Sequence, residues 1–407
     1  AVAQMLLPML DDDTTREEFL FAMIREVSAH EVGHTLGLRH NFKSSRWRSM
    51  EELADAEDTS LNGICGSFMD YPAVNMAAPD GTQGEFFQSA VGPYDKWAIE
   101  YGYREFGSNE KDHLDKIAAR CAEVGLEYGT DEDSFLGDPF TVTWDMGADP
   151  IAFAESQIEL ANWGLDNMLD RAAEDGDGYY NYSRYYTLFN SLAQRSWGGL
   201  ARFIGGFTYN RDVVGQENGR PPIVTVDPEK QQRALDVLIE SGLKFDGHIS
   251  DDMRLLMANK KYGSFGSWFD FWSMVPVSRT VNNTRFFALL PLMDSSLYER
   301  VNNQHQLTSG ESLSMRDVAY PVFDAVWTDD PSEYDLWSQS DYVDMILFNI
   351  ERDMTPSVTA LYDEMMRKAK DKLDSYASSS DAALAAHGTW LGGKIDRYNQ
   401  RQVMTDA

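Results

Sequence analysis

Phe19, Met23 and Val27 recur at four-residue steps, and His30 and His34 continue the same line at steps of three and four, which is the spacing of one face of an α-helix. Thr14 with Glu17, behind the acidic run Asp11-Asp12-Asp13, has the pattern of a capping box and predicts that the helix starts there. Gly37 is placed to end it, because a residue without Cβ turns the chain through the left-handed conformation at little cost. The apolar stripe therefore points His30 and His34 toward the core, with His40 beyond the turn. Residues 41–66 are polar and read as loop. In the dense stretch SFMDYPAVN, Ser67 to Asn75, Pro72 argues against a helix.

After VGPYDKWAIEYGY, Val91 to Tyr103, the pattern becomes a succession of amphipathic helices. Asp149-Pro150 reads as an N-cap with proline at the first helical position, followed by Ile151, Ile158 and Leu165 at heptad spacing. Asp227-Pro228 opens another helix, closed by Gly242. Further runs fit Asp251 to Lys260, Ser314 to Trp327, Tyr334 to Glu351 and Pro356 to Tyr376. GGFTYN, Gly205 to Asn210, reads as a short strand and GQENGRPP, Gly215 to Pro222, as a loop or short linker. There is no internal repeat. The pattern predicts a mainly α chain of α+β type, with a small α/β piece over residues 1–108 and a mostly helical region over 109–407.

A length of 407 residues implies two or three domains, and 43% hydrophobic with 12% aromatic residues supplies their cores. With 35 Lys+Arg against 66 Asp+Glu, the net charge of −31 repels phosphate backbones and anionic membrane surfaces, which argues against a nucleic-acid partner. The same acidity is also a common solubility device. No stretch approaches the roughly 20 apolar residues that span a bilayer. Cys65 and Cys121 allow at most one disulfide, and spacing does not decide whether it forms. The chain opens Ala1-Val2-Ala3 with no leader pattern, so a leader is expected to have been cut off or the chain to be a fragment.

Chemistry concentrates in HEVGHTLGLRH, His30 to His40, which holds three of the seven histidines. Two histidines four apart on one helical face direct their imidazoles at a common point, as a tetrahedral Zn²⁺ requires of its first two ligands. The turn at Gly37 brings His40 back as the third. Three neutral nitrogen donors leave the fourth position to water, the arrangement of a catalytic rather than a structural site. Glu31, about 100° around the helix from His30, reaches that water without binding the metal and is placed as general base. A lone histidine on an apolar face is more often a satisfied core residue, and HExxH alone arises by chance. Three His, one Glu and one Gly in register on an inward-facing helix make a far more specific signal.

These eleven residues match HExxHxxGxxH, and the chain here resembles the metzincin clan of zinc endopeptidases. The clan's second mark is a Met-containing turn beneath the metal, and Met69 in Ser67-Phe68-Met69-Asp70-Tyr71 looks like that residue. The resemblance implies that Tyr71 serves as an extra ligand and oxyanion donor. Taken alone, Met69 fits ordinary core packing and Tyr71 a buried tyrosine with one hydrogen bond. HEVGHTLGLRHNF, GPYDKWAIEYGY, TWDMGADP (Thr143 to Pro150) and NRDVVGQENGRPP together resemble a group of large bacterial zinc metalloproteases, generally exported, with a long helical C-terminal region. This likeness implies an extracytoplasmic location and a protein or peptide substrate. Two departures stand out. Asn41 follows the third histidine where better-known subfamilies carry an acidic residue, Ser or Pro. Only about a dozen residues precede the zinc helix, where metzincins place a twisted sheet, so the chain is expected to be the C-terminal portion of a larger protein with the lower half of the cleft.

Asp175-Gly176-Asp177-Gly178 is closer to an acidic turn than to a calcium loop, because the downstream Glu is missing. His113, His248, His305 and His387 are single and read as surface or packing residues, and Tyr179, Tyr180, Tyr182, Tyr185 and Tyr186 as helical core rather than a ligand site. The leading expectation is a zinc endopeptidase using Zn²⁺ on His30, His34 and His40, with Glu31 and Tyr71 as catalytic groups. The alternatives are a binding or scaffolding module with a relic or structural zinc site, and a zinc hydrolase of non-peptide substrates.

Overall fold

The structure, a computed structural model, describes residues 13–405 apart from 78–80, 136, 217, 258–276 and 353. Contacts divide the chain into two compact units, Ala1–Val226 and Asp227–Ala407. The boundary expected near residue 108 falls inside the first unit. Residues 129–148 fold back onto the segment after the histidines: Phe42 N donates to Gly129 O at 2.7 Å, Trp144 N to Tyr71 O at 2.8 Å and Gly147 N to Ser45 O at 3.0 Å.

The first unit opens with the helix Asp13–Thr35; the side chain of Thr14, half of the expected capping box, lies outside the described residues. Its inward line runs through the buried Phe19, His30 and Gly33, with the half-buried Glu26 between them. Val27, expected on that line, is 52% exposed, and His34 is exposed as well. The cause is the 3.6-residue period, which after Phe19 and Met23 brings position 26 inward and carries 27 past the edge of the stripe. Phe19 anchors the helix against Phe86 and Phe87, with ring centroids 5.1 and 4.9 Å away.

Gly37, at φ +82°, ends the helix as expected. Leu38 N donates to Gly33 O and Gly37 N to His34 O, the paired bonds of a Schellman motif. Residues 41–66, read as loop, contain short helices at Ser44–Trp47, Met50–Leu53 and Ala56–Asn62. Ser49 with Glu52 caps the second and Asp55 the third. Such one- and two-turn pieces lack room for a periodic stripe, so their caps were the only sequence signal.

Helices follow at Pro93–Tyr103, Glu110–Ala118, Asp131–Ser134, Pro150–Asp166, Met168–Arg171 and Tyr180–Leu200. Asp149 caps Pro150–Asp166 as expected, accepting from the amides of Ile151 and Ala152. That helix packs on Tyr180–Leu200 so closely that a Cβ on Gly164 would lie 2.2 Å from the Phe189 ring. Tyr185 and Tyr186 are core, whereas Tyr179 is 63% exposed. The expected strand at Gly205 to Asn210 appears as Phe207–Tyr209, paired antiparallel with Ile223–Thr225 so that Thr208 faces Val224.

No described residue before 207 is in a strand, so the described part of the α/β piece expected over residues 1–108 is helix and irregular chain. Its extended segments make isolated bonds, such as Asn75 N to Phe86 O, instead of a ladder. Cys65 and Cys121 are both free. Asp175 to Gly178 forms an acidic turn, with Glu174 N donating to Asp177.

The elements of the second unit among the described residues are helices, from Pro228–Leu238, which continues into a π-turn at Ile239–Leu243, through Asp251–Leu256, Val277–Leu292, Ser295–Leu307, Met315–Val326, Glu333–Ile350 and Pro356–Ala377 to Ala382–Thr405. Residues 258–260 of the run expected from Asp251 lie outside the described residues. Leu235, Val281, Val318, Val343, Val358 and Leu373 form its fully buried centre. The last two helices approach closely at Gly388, where a Cβ would lie 2.5 Å from the Ala377 nitrogen. Among the described residues no helix is long and apolar enough to cross a membrane.

Candidate metal centre

His30 and His34 come from consecutive turns of the first helix, and His40 returns after the Gly37 turn. One ligating atom from each lies within 4.8 Å of the other two, and among the described residues this is the one group of three or more His, Cys, Asp or Glu side chains so arranged. The remote nitrogen of each ring is engaged. His30 Nδ1 donates to the Phe68 carbonyl at 2.7 Å and His34 Nδ1 to the Leu38 carbonyl at 3.0 Å. His40 Nδ1 bonds the Asp131 carboxylate at 2.8 Å.

A carbonyl oxygen only accepts, so Nδ1 carries the proton in His30 and His34, and their Nε2 atoms present lone pairs. Those two atoms lie 3.1 Å apart. Two neutral lone pairs at that distance repel, and a shared cation relieves the contact. Adjacent donors of a tetrahedral zinc with bonds of about 2.0–2.1 Å stand about 3.3 Å apart. Burial, aided by the charges of His34 and His40, also holds the His30 imidazole below its ordinary pKa, which favours the neutral form that binds metal. His40 Nε2 is buried without a partner, an orphan that a metal would satisfy. The donor set fits zinc.

Beneath the rings, Met69 is fully buried. Its Sδ packs on the helix at Gly33, where a Cβ would come within 2.2 Å of the sulfur, so the turn and the helix touch at a residue where any side chain would have to displace the sulfur. Asp95, from the GPYDKW segment, holds the turn from the other side: it accepts from Ser67 Oγ at 2.5 Å, Phe68 N at 3.0 Å and Gly92 N at 3.1 Å.

Tyr71 stacks on His30 with centroids 4.9 Å apart and reaches His40 at 4.7 Å. Burial, then the charges of Glu31 and Asp131, push its phenol above the ordinary value, which keeps the O–H in place as a donor. Glu31 is exposed at the same end of the helix.

A family profile described as Met-zincin matches residues 12–333, most of the chain. The chain belongs to the Met-zincin family. No curated protein and no solved structure matches it. Membership agrees with the histidine triad and points to a zinc metalloprotease type of function.

In this Met-zincin, Asn41 has a structural explanation. Fully buried, it accepts from Gly129 N at 3.1 Å and donates to Glu127 O at 2.9 Å, while its own amide donates to Met69 O at 2.8 Å. An aspartate there would lose the side-chain donor. Four residues escaped the sequence reading: Gly33, Asp95, Asp131 and Trp144. Asp95 and Trp144 stood inside segments that carried the family likeness, but without a role. Thr130 and Asp133 form the capping box of the helix that presents Asp131, and Arg211 of the NRDVVGQENGRPP segment pairs with Asp133 at 2.7 Å. The box was legible as a helix start. Its position beside His40 was not.

Proposed function

We propose that this Met-zincin is a zinc-dependent endopeptidase. The observation that carries the reading is the convergence of three imidazoles, each with its far nitrogen engaged, beside Glu31 and Tyr71. His30, His34 and His40 hold the ion. Zinc bound there supplies Lewis acidity, acidifying water and polarising a carbonyl.

The remaining steps belong to the chain. Glu31 follows a ligand by one residue, so its carboxylate takes the proton of the attacking water and returns it to the nitrogen of the leaving amine. Tyr71, kept protonated by its surroundings, donates its O–H to the oxygen that becomes negative as the carbonyl is attacked. Met69 and Gly33 fix the floor, so the rings keep their aim without touching substrate. The substrate is a protein or peptide, and the place of action is outside the cytoplasm, as the wider resemblance implies.

Glu31→Gln is expected to retain zinc while peptide hydrolysis falls about 10²- to 10⁴-fold. His40→Ala is expected to lose the metal. Metal content by mass spectrometry and cleavage of a broad peptide library separate the two effects. Parental cleavage by the Glu31 variant would overturn the mechanism, and no cleavage by the zinc-loaded parent would favour a binding module.

A further inference from the structure

Trp144 is a non-glycine residue at φ +68°, a backbone region such residues seldom occupy. It is held there by its amide, which donates to Tyr71 O at 2.8 Å, and its ring lies parallel to the Tyr71 ring at 5.9 Å. The indole is nonetheless 54% exposed. It lines a concavity together with Ala73, Val74, Phe153, Leu192, Gln157 and Arg195. Ala73 and Val74 follow Tyr71 after Pro72, so the same strip of backbone serves the metal centre and this hollow.

Arg195 is the one charged residue lining it. Its side chain is exposed and makes no hydrogen bond or ion pair with any described residue. In a chain with 66 acidic residues against 35 basic ones, cations find partners easily, and other arginines of this unit have them, such as Arg211 on Asp133 and Arg220 on Asp212. A guanidinium left unpaired in a mainly apolar hollow that a stacked indole also lines is suited to a carboxylate that arrives from outside.

We propose that this hollow is a specificity subsite that seats an acidic side chain of the substrate, its methylene carbons against Trp144 and its carboxylate on Arg195. The proposal rests on the peptidase reading and adds which peptides are chosen.

The test uses the full chain, zinc-loaded and carrying Glu31→Gln so that bound peptide is not consumed. Labelled peptides with a single Glu stepped through each position, and their Gln and Lys counterparts, are titrated by fluorescence anisotropy. At one register the Glu peptide is expected to bind about tenfold or more tightly than its Gln twin, the scale of a charge-assisted hydrogen bond. Arg195→Ala is expected to abolish that difference, and Arg195→Glu to turn it in favour of Lys. Arg195 is exposed, so both variants should fold, which circular dichroism checks. No Glu preference at any register, or one that survives Arg195→Ala, overturns the proposal. If the preference is present but the parent chain cleaves none of these peptides, the subsite stands and the peptidase reading falls.

Discussion

Asp131 does for His40 what main-chain carbonyls do for His30 and His34, but as a charge. It comes from 91 residues further along the chain and has Arg39 at 3.6 Å on its other oxygen. A carboxylate behind a metal-binding imidazole fixes the tautomer and raises its basicity. Asp131→Ala is therefore expected to weaken zinc binding about 10- to 100-fold, with Asp131→Asn, which keeps an acceptor, losing less. Competition against a chromophoric chelator measures both, and equal affinities in all three proteins would remove Asp131 from the site. The residues legible beforehand lie in two short stretches: His30, Glu31, His34 and His40 through their spacing, Met69 and Tyr71 through the family resemblance. Asp131, Asp95, Gly33 and Trp144 act through contacts between distant segments, and no local pattern reports those.

The first helix is tied to the loop before Pro93–Tyr103 through Glu26, which accepts from Gln88 N at 2.9 Å. Gln88 in turn accepts from the amides of Ile64 and Cys65, the lead into the Met69 turn. Burial, opposed by the Gln88 bond and by Arg25, raises the Glu26 carboxyl from 4.5 to about 7. The folded state thus binds this proton more tightly than the unfolded chain does. Its contribution is fully present below about pH 4.5 and is lost as pH rises to about 7, a swing of up to about 3 kcal/mol. Urea unfolding at pH 5 and 7.5 should show a smaller loss of stability for Glu26→Gln than for the parent, and equal losses would refute the assignment. At this scale the sequence was readable where a cap met a long stripe, as at Asp149-Pro150, Asp227-Pro228 and Ser314, although the helix Ser295–Leu307 behind the Asp294 cap was not read. It failed for the short polar helices of residues 44–62. It gave no sign of Glu26, because an acidic residue on the inward side of a helix looks like a surface residue until the packing is seen.

Every group around the triad, from the Met69 turn through Asp95 and Asp131 to Trp144, belongs to the unit Ala1–Val226. The unit Asp227–Ala407 has its own buried centre and, among the described residues, no group of side chains able to hold a metal. A ligand that binds only the native state stabilises whatever unfolds when its site is lost, by about 2.7 kcal/mol when present at 100 times its Kd. Zinc should therefore slow amide exchange in the core of the first unit, including Phe19, Met69 and Met146, and leave Leu235, Val318 and Leu373 in the second at their metal-free rates. Chelator should reverse the effect, and His40→Ala should remove the difference between the two conditions. Equal slowing in both units would mean that the molecule opens as one cooperative body, with the metal's binding energy holding the helical half as firmly as the half that carries the histidines.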